Sequence, residues 1–160
     1  MKLPITFFVQ GEPRAKQSFR AGNGGGYQTE LVKGWQSDCG YAALQAMRAI
    51  DIYEPYLKGT RLTVQMIFFL GNARKIDLDN LSKCVSDGLN GVLWTDDQDN
   101  VRLVLDKYIC RTKQGVLVRV MENTRQVEIT EPDMDVFFVE REAVRDVFAA
   151  MDQKKKTVTT

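Results

Sequence analysis

The chain has 160 residues, which is enough for one domain with a small appendage. It contains no histidine, so Ser–His and Cys–His nucleophile pairs and nearly all zinc hydrolase sites are excluded, and hydrolytic chemistry would have to use carboxylates, lysine and a hard metal ion. The net charge of +1 hides an uneven distribution, because residues 1–121 carry 16 basic and 12 acidic residues whereas residues 122–152 carry 3 and 9.

No segment has the pattern of a membrane span or a cleaved leader. The longest apolar runs, such as MIFFL at residues 66–70, are much shorter than the roughly 20 residues that cross a bilayer. The N-terminus has only a short apolar stretch and no small-residue cleavage signature. The three cysteines are unevenly spaced and indicate neither a disulfide framework nor a zinc site, so we expect a reducing, cytoplasmic setting.

Residues 3–29 are predicted to form a strand and then a basic loop. Apolar residues alternate with others from Leu3 to Val9, which is the period of a strand. The loop that follows has four glycines within residues 22–26 and no acidic residue between Pro13 and Thr29. Its basic residues are Arg14, Lys16 and Arg20.

A helix and a second strand follow this loop. Residues 30–50 have a helical pattern, and Thr29 is the predicted N-cap. Residues 60–70 are predicted to form a strand that is central in its sheet, because Ile67 and Phe69 lie on the second face and also require cover. The first face of this strand consists of Leu62, Val64, Met66, Phe68 and Leu70.

The next elements are a short helix at 79–91, a loop through WTDDQDN, and two strands at 101–110 and 116–121. The connector RTKQG ends in glycine and predicts a hairpin between the last two strands. The order strand, helix, strand, helix, strand, strand predicts an α+β fold around a mixed β-sheet.

Residues 122–160 are predicted to form a C-terminal extension that is distinct from a domain at 1–121. The extension is acidic as far as residue 152, has a helical pattern at 141–153, and ends in the basic tail KKKTVTT. One hypothesis is that it folds over a basic groove and competes with a polyanion. The alternative is a surface helix that binds a partner protein or aids a dimer.

The sequence KIDLDNLSKCVSDGLNGVLWTDDQDN, residues 75–100, holds six of the 21 acidic residues of the chain. Asp77 and Asp79 are two apart, and in an extended backbone such residues point the same way and can face one cation. The next helix is expected to bring Lys83 to the same place, and a return loop anchored by Trp94 is expected to bring Asp96 and Asp97 there. Carboxylates that converge on one point repel one another unless a cation such as Mg²⁺ or Mn²⁺ lies among them.

Each part of this cluster also has a structural interpretation. Asp79 alone fits a helix N-cap, and Asp77 fits a turn. DDQDN alone fits a solvated loop, and Lys83 with Asp87 fits a surface ion pair at i, i+4. The surplus of basic residues elsewhere in residues 1–121 suits a polyanion such as DNA, although it also fits an ordinary solvated surface.

The stretch IDLDNLSKCVSDGLNGVLWTDDQDNVRLVLDKY resembles the signature of RusA-type Holliday junction resolvases, which are bacterial and phage endodeoxyribonucleases. In that family a D-L-D-N-L-x-K run opens a helix, and a D-D pair precedes a strand. The spacing matches without a gap from Asp77 to Lys107, and GEPRAKQSFR is similar to the basic N-terminal loop of phage members. The resemblance covers about residues 1–121.

The resemblance implies a homodimer that resolves four-way DNA junctions by paired phosphodiester cleavage, in the cytoplasm of a bacterial or phage-infected cell. It implies Mg²⁺ as the cofactor, with Mn²⁺ able to substitute. The implied catalytic residues are Asp77, Asp79, Asp97 and Lys83, and the implied metal ligands are Asp77, Asp79, Asp97 and Asp96. We expect DNA contacts from Arg14, Lys16, Arg20, Lys33, Arg74, Lys75 and Asn80.

Two other functions remain open from the sequence. The first is a non-catalytic DNA- or protein-binding module derived from such a nuclease, in which the carboxylates would be structural. The second is a sugar-nucleotide transferase that uses D-x-D, although the sequence shows no nucleotide-binding unit. The retention of the D-x-D run, Lys83 and the D-D pair together favours the nuclease.

Overall fold

The computed structural model describes residues 4–16, 29–73 and 75–124. Chain contacts divide the protein into Met1–Arg125 and Gln126–Thr160, and all described residues belong to the first unit. Residues 125–160 of the predicted acidic extension, with its helix and its proposed contacts, therefore lie outside the described residues. Within the described residues no helix is long and apolar enough to cross a membrane.

The described elements alternate between strands and helices in the predicted order. They are β1 Ile5–Gln10, α1 Glu30–Arg48, β2 Leu62–Leu70, α2 Leu78–Leu89, a short 3₁₀ turn Asp97–Asp99, β3 Asn100–Ile109 and β4 Gly115–Glu122. The four strands form one mixed sheet, so the predicted α+β fold is confirmed.

Both helices pack on one face of the sheet because each has an apolar stripe. Thr29 caps α1 as predicted, since its side chain accepts a hydrogen bond from the backbone N–H of Val32. The apolar stripe of α2 is buried. The apolar stripes of both helices and the first face of β2 form one core. The residues of α2 in this core are Leu81, Cys84, Val85 and Leu89.

The two helices approach each other closely at a pair of glycines. A Cβ added to Gly88 of α2 would lie 2.5 Å from the carbonyl oxygen of Gln36 in α1. A Cβ on Gly40 of α1 would lie 3.0 Å from the carbonyl oxygen of Gly88. Glycine is therefore required at this crossing because any side chain would meet backbone atoms.

The order of strands in the sheet is β1-β4-β2-β3, so the prediction of a hairpin between β3 and β4 is wrong. β3 pairs with β2 in parallel, and β4 pairs with the other side of β2 in antiparallel orientation. The connector at 110–114 therefore passes over the end of β2, where the Cys110 N–H donates to the carbonyl of Leu70 at 2.7 Å. A short, glycine-containing connector looks the same in sequence whether it closes a hairpin or crosses a neighbouring strand.

The unit formed by β2, α2 and β3 determines where the polar residues lie. β2 is central as predicted, and Ile67 on its second face is only 5% exposed. Because β2 and β3 run in parallel, α2 must return along the sheet between them. Trp94 anchors the loop after α2 as predicted, because its side chain is 1% exposed and its Nε1–H donates to Asn90 Oδ1 at 2.6 Å.

Candidate active site

Asp77 and Asp79 lie at the N-terminus of α2, where the chain leaves the end of β2. Asp77 is the N-cap residue, with φ −71° and ψ 132°, and its side chain makes no capping hydrogen bond. Asp79 already belongs to the first helical turn, because α2 begins at Leu78. The expected extended backbone through both residues is therefore wrong. The positive end of the helix dipole is what makes two carboxylates favourable here.

Each of these two carboxylates has a neighbouring partner on the same helix. Asn80 Nδ2 donates to Asp77 Oδ2 at 3.4 Å, and Lys83 Nζ donates to Asp79 Oδ2 at 3.1 Å. The hydrogen bond from Lys83 is the main reason that the pKa of Asp79 is lowered, so this carboxylate is ionised at neutral pH. Asp79 and Lys83 are 64% and 60% exposed, which leaves both side chains open to a ligand in solvent.

The second acidic group lies at the opposite end of α2. Twelve helical residues at about 1.5 Å each place the two ends of α2 roughly 18 Å apart. Asp97 begins the 3₁₀ turn after this far end, next to the start of β3. Within one chain the structure therefore brings Asp77, Asp79 and Lys83 together and leaves Asp96 and Asp97 apart from them.

Two carboxylates of this second group have structural partners. Asp96 caps the 3₁₀ turn by accepting from the Gln98 N–H at 3.1 Å. Asp99 Oδ2 accepts from the Gly59 N–H at 2.8 Å and so holds the loop before β2. The residues described here contain no group of three or more Asp, Glu, Cys or His that could hold a metal ion. The assignment of metal ligands to these residues stays a prediction.

Lysines approach the first acidic group from two other parts of the chain. Lys107 of β3 donates through Nζ to the carbonyl of Ile76, the residue before Asp77, at 2.7 Å. The backbone N–H of Lys16 donates to the carbonyl of Asn80 at 3.0 Å, which places the basic loop against the first turn of α2. Lys107 is not among the predicted site residues, although the matching spacing extends from Asp77 to Lys107.

Asp87 fixes the basic loop along α2. Its Oδ2 lies 2.7 Å from Lys16 Nζ and 3.3 Å from Gln36 Nε2 of α1. The alternative of an ion pair between Lys83 and Asp87 is therefore wrong, because each has a different partner. Buried Pro13 and the packing of Ala15 against the core hold the same part of the loop.

The other predicted DNA contacts are dispersed. Arg14 forms an ion pair with Glu12 at 2.9 Å, and Lys33 forms one with Glu30 at 3.0 Å in the first turn of α1. Lys75 is exposed two residues before Asp77. Arg20 and Arg74 lie outside the described residues.

The donor set at the first acidic group has the chemistry of a hard-cation site that is shared with substrate. The exposed side chains of Asp77 and Asp79 offer carboxylate oxygens, and neither a thiol nor an imidazole belongs to this group of residues. Mg²⁺ is usually held by one or two carboxylates together with water and phosphate oxygens. Asp77 and Asp79 fit this arrangement, and the nearby lysines fit the phosphate.

The model of the family described as endodeoxyribonuclease RusA matches residues 10–121. The chain belongs to the RusA family. The matched region contains α1, α2, the whole of β2, β3 and all but the last residue of β4, so both acidic groups lie inside it. This confirms the resemblance read from the sequence and associates the chain with endodeoxyribonuclease activity. No curated protein matches the chain.

Proposed function

We propose that the chain is a Mg²⁺-dependent endonuclease that cuts four-way DNA junctions by paired phosphodiester cleavage. The observation that carries this proposal is the RusA match over residues 10–121, whose α2 presents an exposed acidic pair and Lys83 on one helical turn. RusA membership supports the nuclease class. The metal, the pairing of the two cuts and the junction are the further steps proposed here.

Asp77 and Asp79 are proposed to hold the ion at the N-terminus of α2. When bound, Mg²⁺ would supply positive charge next to the scissile phosphate and favour attack by water. Lys83 is placed to offset negative charge on a phosphoryl oxygen, since its Nζ lies 3.1 Å from Asp79 Oδ2. Lys16 and Lys107 position the backbone on either side of this turn.

Asp97 requires a second chain if it is to serve the same ion. Because α2 separates it from Asp77 by roughly 18 Å, one chain cannot close all of these carboxylates around one cation. A homodimer is proposed for two reasons: two opposed strands of a junction need two sites, and a second copy can bring its own Asp97 to the Asp77 end of the first. The proposed site has two local carboxylates and a third from the partner.

The test is cleavage of a synthetic four-way junction with Mg²⁺ by the wild type and by Asp77→Asn. We expect the substitution to reduce the cleavage rate by at least about 100-fold, because it removes an anionic ligand from the turn. Junction binding in EDTA should change by less than about threefold, since DNA contacts come from the lysines.

The matched control is Asp51→Asn, which makes the same change at an exposed residue in the loop after α1. Asp51 has φ 57°, a conformation that asparagine also adopts, so the fold should be unaffected. Equal cleavage by wild type and Asp77→Asn would refute the site. A junction that is bound but never cut by the wild type would instead favour the non-catalytic binding module.

A further inference from the structure

Three connecting segments of the chain leave the sheet at the edge that carries the acidic pair. β1, β2 and β3 end at this edge and β4 begins there, so the described residues of 11–16, 71–77 and 110–114 lie along it. Five of these residues are basic and two are acidic. At the opposite edge, segments 49–61 and 90–99 contain two basic and five acidic residues. A polyanion is therefore favoured at the edge with the acidic pair.

The connector between β3 and β4 is tied to this edge on both sides of Arg111. Before Arg111, the Cys110 N–H donates to the carbonyl of Leu70 at 2.7 Å. After it, the carbonyl of Gln114 accepts from the Gly11 N–H at 3.1 Å. A side chain on backbone that is already held in place loses less conformational entropy on binding than one on a free loop. The connector therefore presents Arg111 from a fixed backbone.

The charge of Arg111 is not neutralised by a neighbouring carboxylate. On the segment beside it, Arg14 pairs with Glu12 at 2.9 Å and Lys16 pairs with Asp87 at 2.7 Å. Arg111 is exposed and forms no ion pair within residues 4–16, 29–73 and 75–124. The guanidinium group holds its N–H donors in one plane and can bind two oxygens of one phosphate. Arg111 can do so without breaking an existing ion pair.

We propose that Arg111 binds a backbone phosphate in the DNA arm that adjoins the cleavage site. This inference rests on the proposed function, because it assigns a DNA contact at the edge of the sheet where the proposed cleavage takes place. It adds a residue of the connector to the lysines around α2. The sequence pattern gave this residue no role.

The length of chain between Lys107 and Arg111 limits which phosphate is reached. Lys107 lies at the acidic pair, because its Nζ contacts the carbonyl of Ile76 at 2.7 Å. Four residues of chain span at most about 14 Å. One strand of B-DNA advances about 3.4 Å along the helix axis for each phosphate. The contacted phosphate is therefore expected within roughly four nucleotides of the scissile one.

A phosphate contact in an arm would position the DNA without recognising the branch or the sequence. Loss of Arg111 should therefore weaken the binding of a four-way junction and of a linear duplex by the same factor. The cleavage rate at a saturating concentration of protein should stay within about twofold of the wild type, because the contact lies away from the reacting atoms.

The first test measures DNA binding by Arg111→Ala in the full chain, by fluorescence anisotropy in EDTA at several salt concentrations. We expect the magnitude of the salt slope to fall by about 0.9, which corresponds to an affinity about eightfold lower at 0.1 M salt. Arg111→Lys keeps the charge and should retain the wild-type slope. The matched control is Arg48→Ala, an exposed arginine in the last turn of α1, which should leave slope and affinity unchanged.

The second test locates the phosphate with junctions that carry one neutral methylphosphonate, placed in turn at successive positions near the branch. In the wild type, neutralising the phosphate that Arg111 contacts should reduce affinity. In Arg111→Ala the same substitution should have no further effect, because the contact has already been lost. With Arg48→Ala the two losses should be additive at every position.

An unchanged salt slope for Arg111→Ala, or additive losses at every phosphate, would refute the contact. A loss of affinity for the junction but not for the duplex would place Arg111 at the branch and overturn the assignment to an arm. These measurements involve neither metal nor cleavage, so they are independent of the proposed activity. A wild type that shows the Arg111 contact but never cuts a junction would refute only the proposed function.

Discussion

The carboxylate of Asp79 is kept ionised by a lysine one helical turn away, and such partners can be read from sequence because i and i+4 are neighbours on any helix. The partners of Asp87 and Asp99 could not be read in this way. Lys16 and Gly59 reach them from distant parts of the chain, and only the tertiary fold brings these residues together. The distance between the two acidic groups within one chain likewise depends on the tertiary fold.

The three cysteines should differ strongly in reactivity toward a thiol reagent. Burial raises the pKa of the Cys39 thiol, and it raises that of Cys84 to about 11, so both remain protonated at neutral pH. A side-chain hydrogen bond with Thr112 lowers the pKa of Cys110, which lies at the surface of the connector. Its thiolate fraction is therefore higher, and its reaction rate should rise with pH until that pKa is passed.

We expect one fast-reacting thiol per folded chain in titration with a disulfide reagent at pH 7.5, and no fast thiol in Cys110→Ser. Unfolding in urea should release the two buried thiols in each case. Cys39→Ser should leave the fast phase unchanged and serves as the control. Two fast thiols in the folded wild type, or an unchanged fast phase in Cys110→Ser, would contradict the burial of the other two.

At the scale of elements, the crossing of α1 and α2 depends on Gly88. Gly88→Ala would place a methyl group against the backbone of Gln36, and backbone atoms cannot move aside without separating the helices. We expect the free energy of unfolding to fall by about 2 kcal/mol, a typical cost of overpacking. A lower midpoint in urea denaturation, with the slope unchanged, would show this loss.

Gly34→Ala is the matched substitution, because Gly34 lies in α1 and an added Cβ there meets nothing within 4 Å. Replacing an unhindered helical glycine by alanine should stabilise the protein by about 0.5–1 kcal/mol. The two variants thus make the same chemical change with opposite expected signs. Stabilisation by Gly88→Ala would mean that the helices do not approach as closely as described.

The elements themselves were largely predictable from sequence, whereas their arrangement was not. The apolar alternation of β2 and the N-cap at Thr29 are local signals, and the structure confirms both predictions. The position of β4 is not encoded locally. Whether it lies beside β3 or beyond β2 depends on which side of β2 remains available once the parallel β3 has been placed.

For the whole molecule, the lysines around α2 predict a steep dependence of DNA binding on salt. Four of them, Lys16, Lys75, Lys83 and Lys107, lie on or next to the turn that carries the acidic pair. If each neutralises one phosphate, junction affinity should fall roughly 100-fold between 50 and 200 mM salt. Titrations in EDTA at several salt concentrations measure this slope without cleavage.

Lys75→Ala should reduce the magnitude of that slope by about one, because one phosphate contact is lost. Lys58→Ala, in the loop before β2, should leave the slope unchanged. If the affinity of the wild type did not depend on salt, the basic residues would not contact DNA phosphates, and the proposed binding surface would be contradicted.

The place of β4 between β1 and β2 has a consequence for synthesis on the ribosome. Ile5 of the first strand pairs with Val120 of the last, and β1 pairs with no other strand in the part of the chain that the structure describes. A nascent chain that ends before Gly115 therefore carries β1 without a neighbour and β2 with one bare side. β1 can form its sheet hydrogen bonds with β4 only after almost the entire described chain has left the ribosome. A prematurely terminated product would therefore be exposed to aggregation and proteolysis.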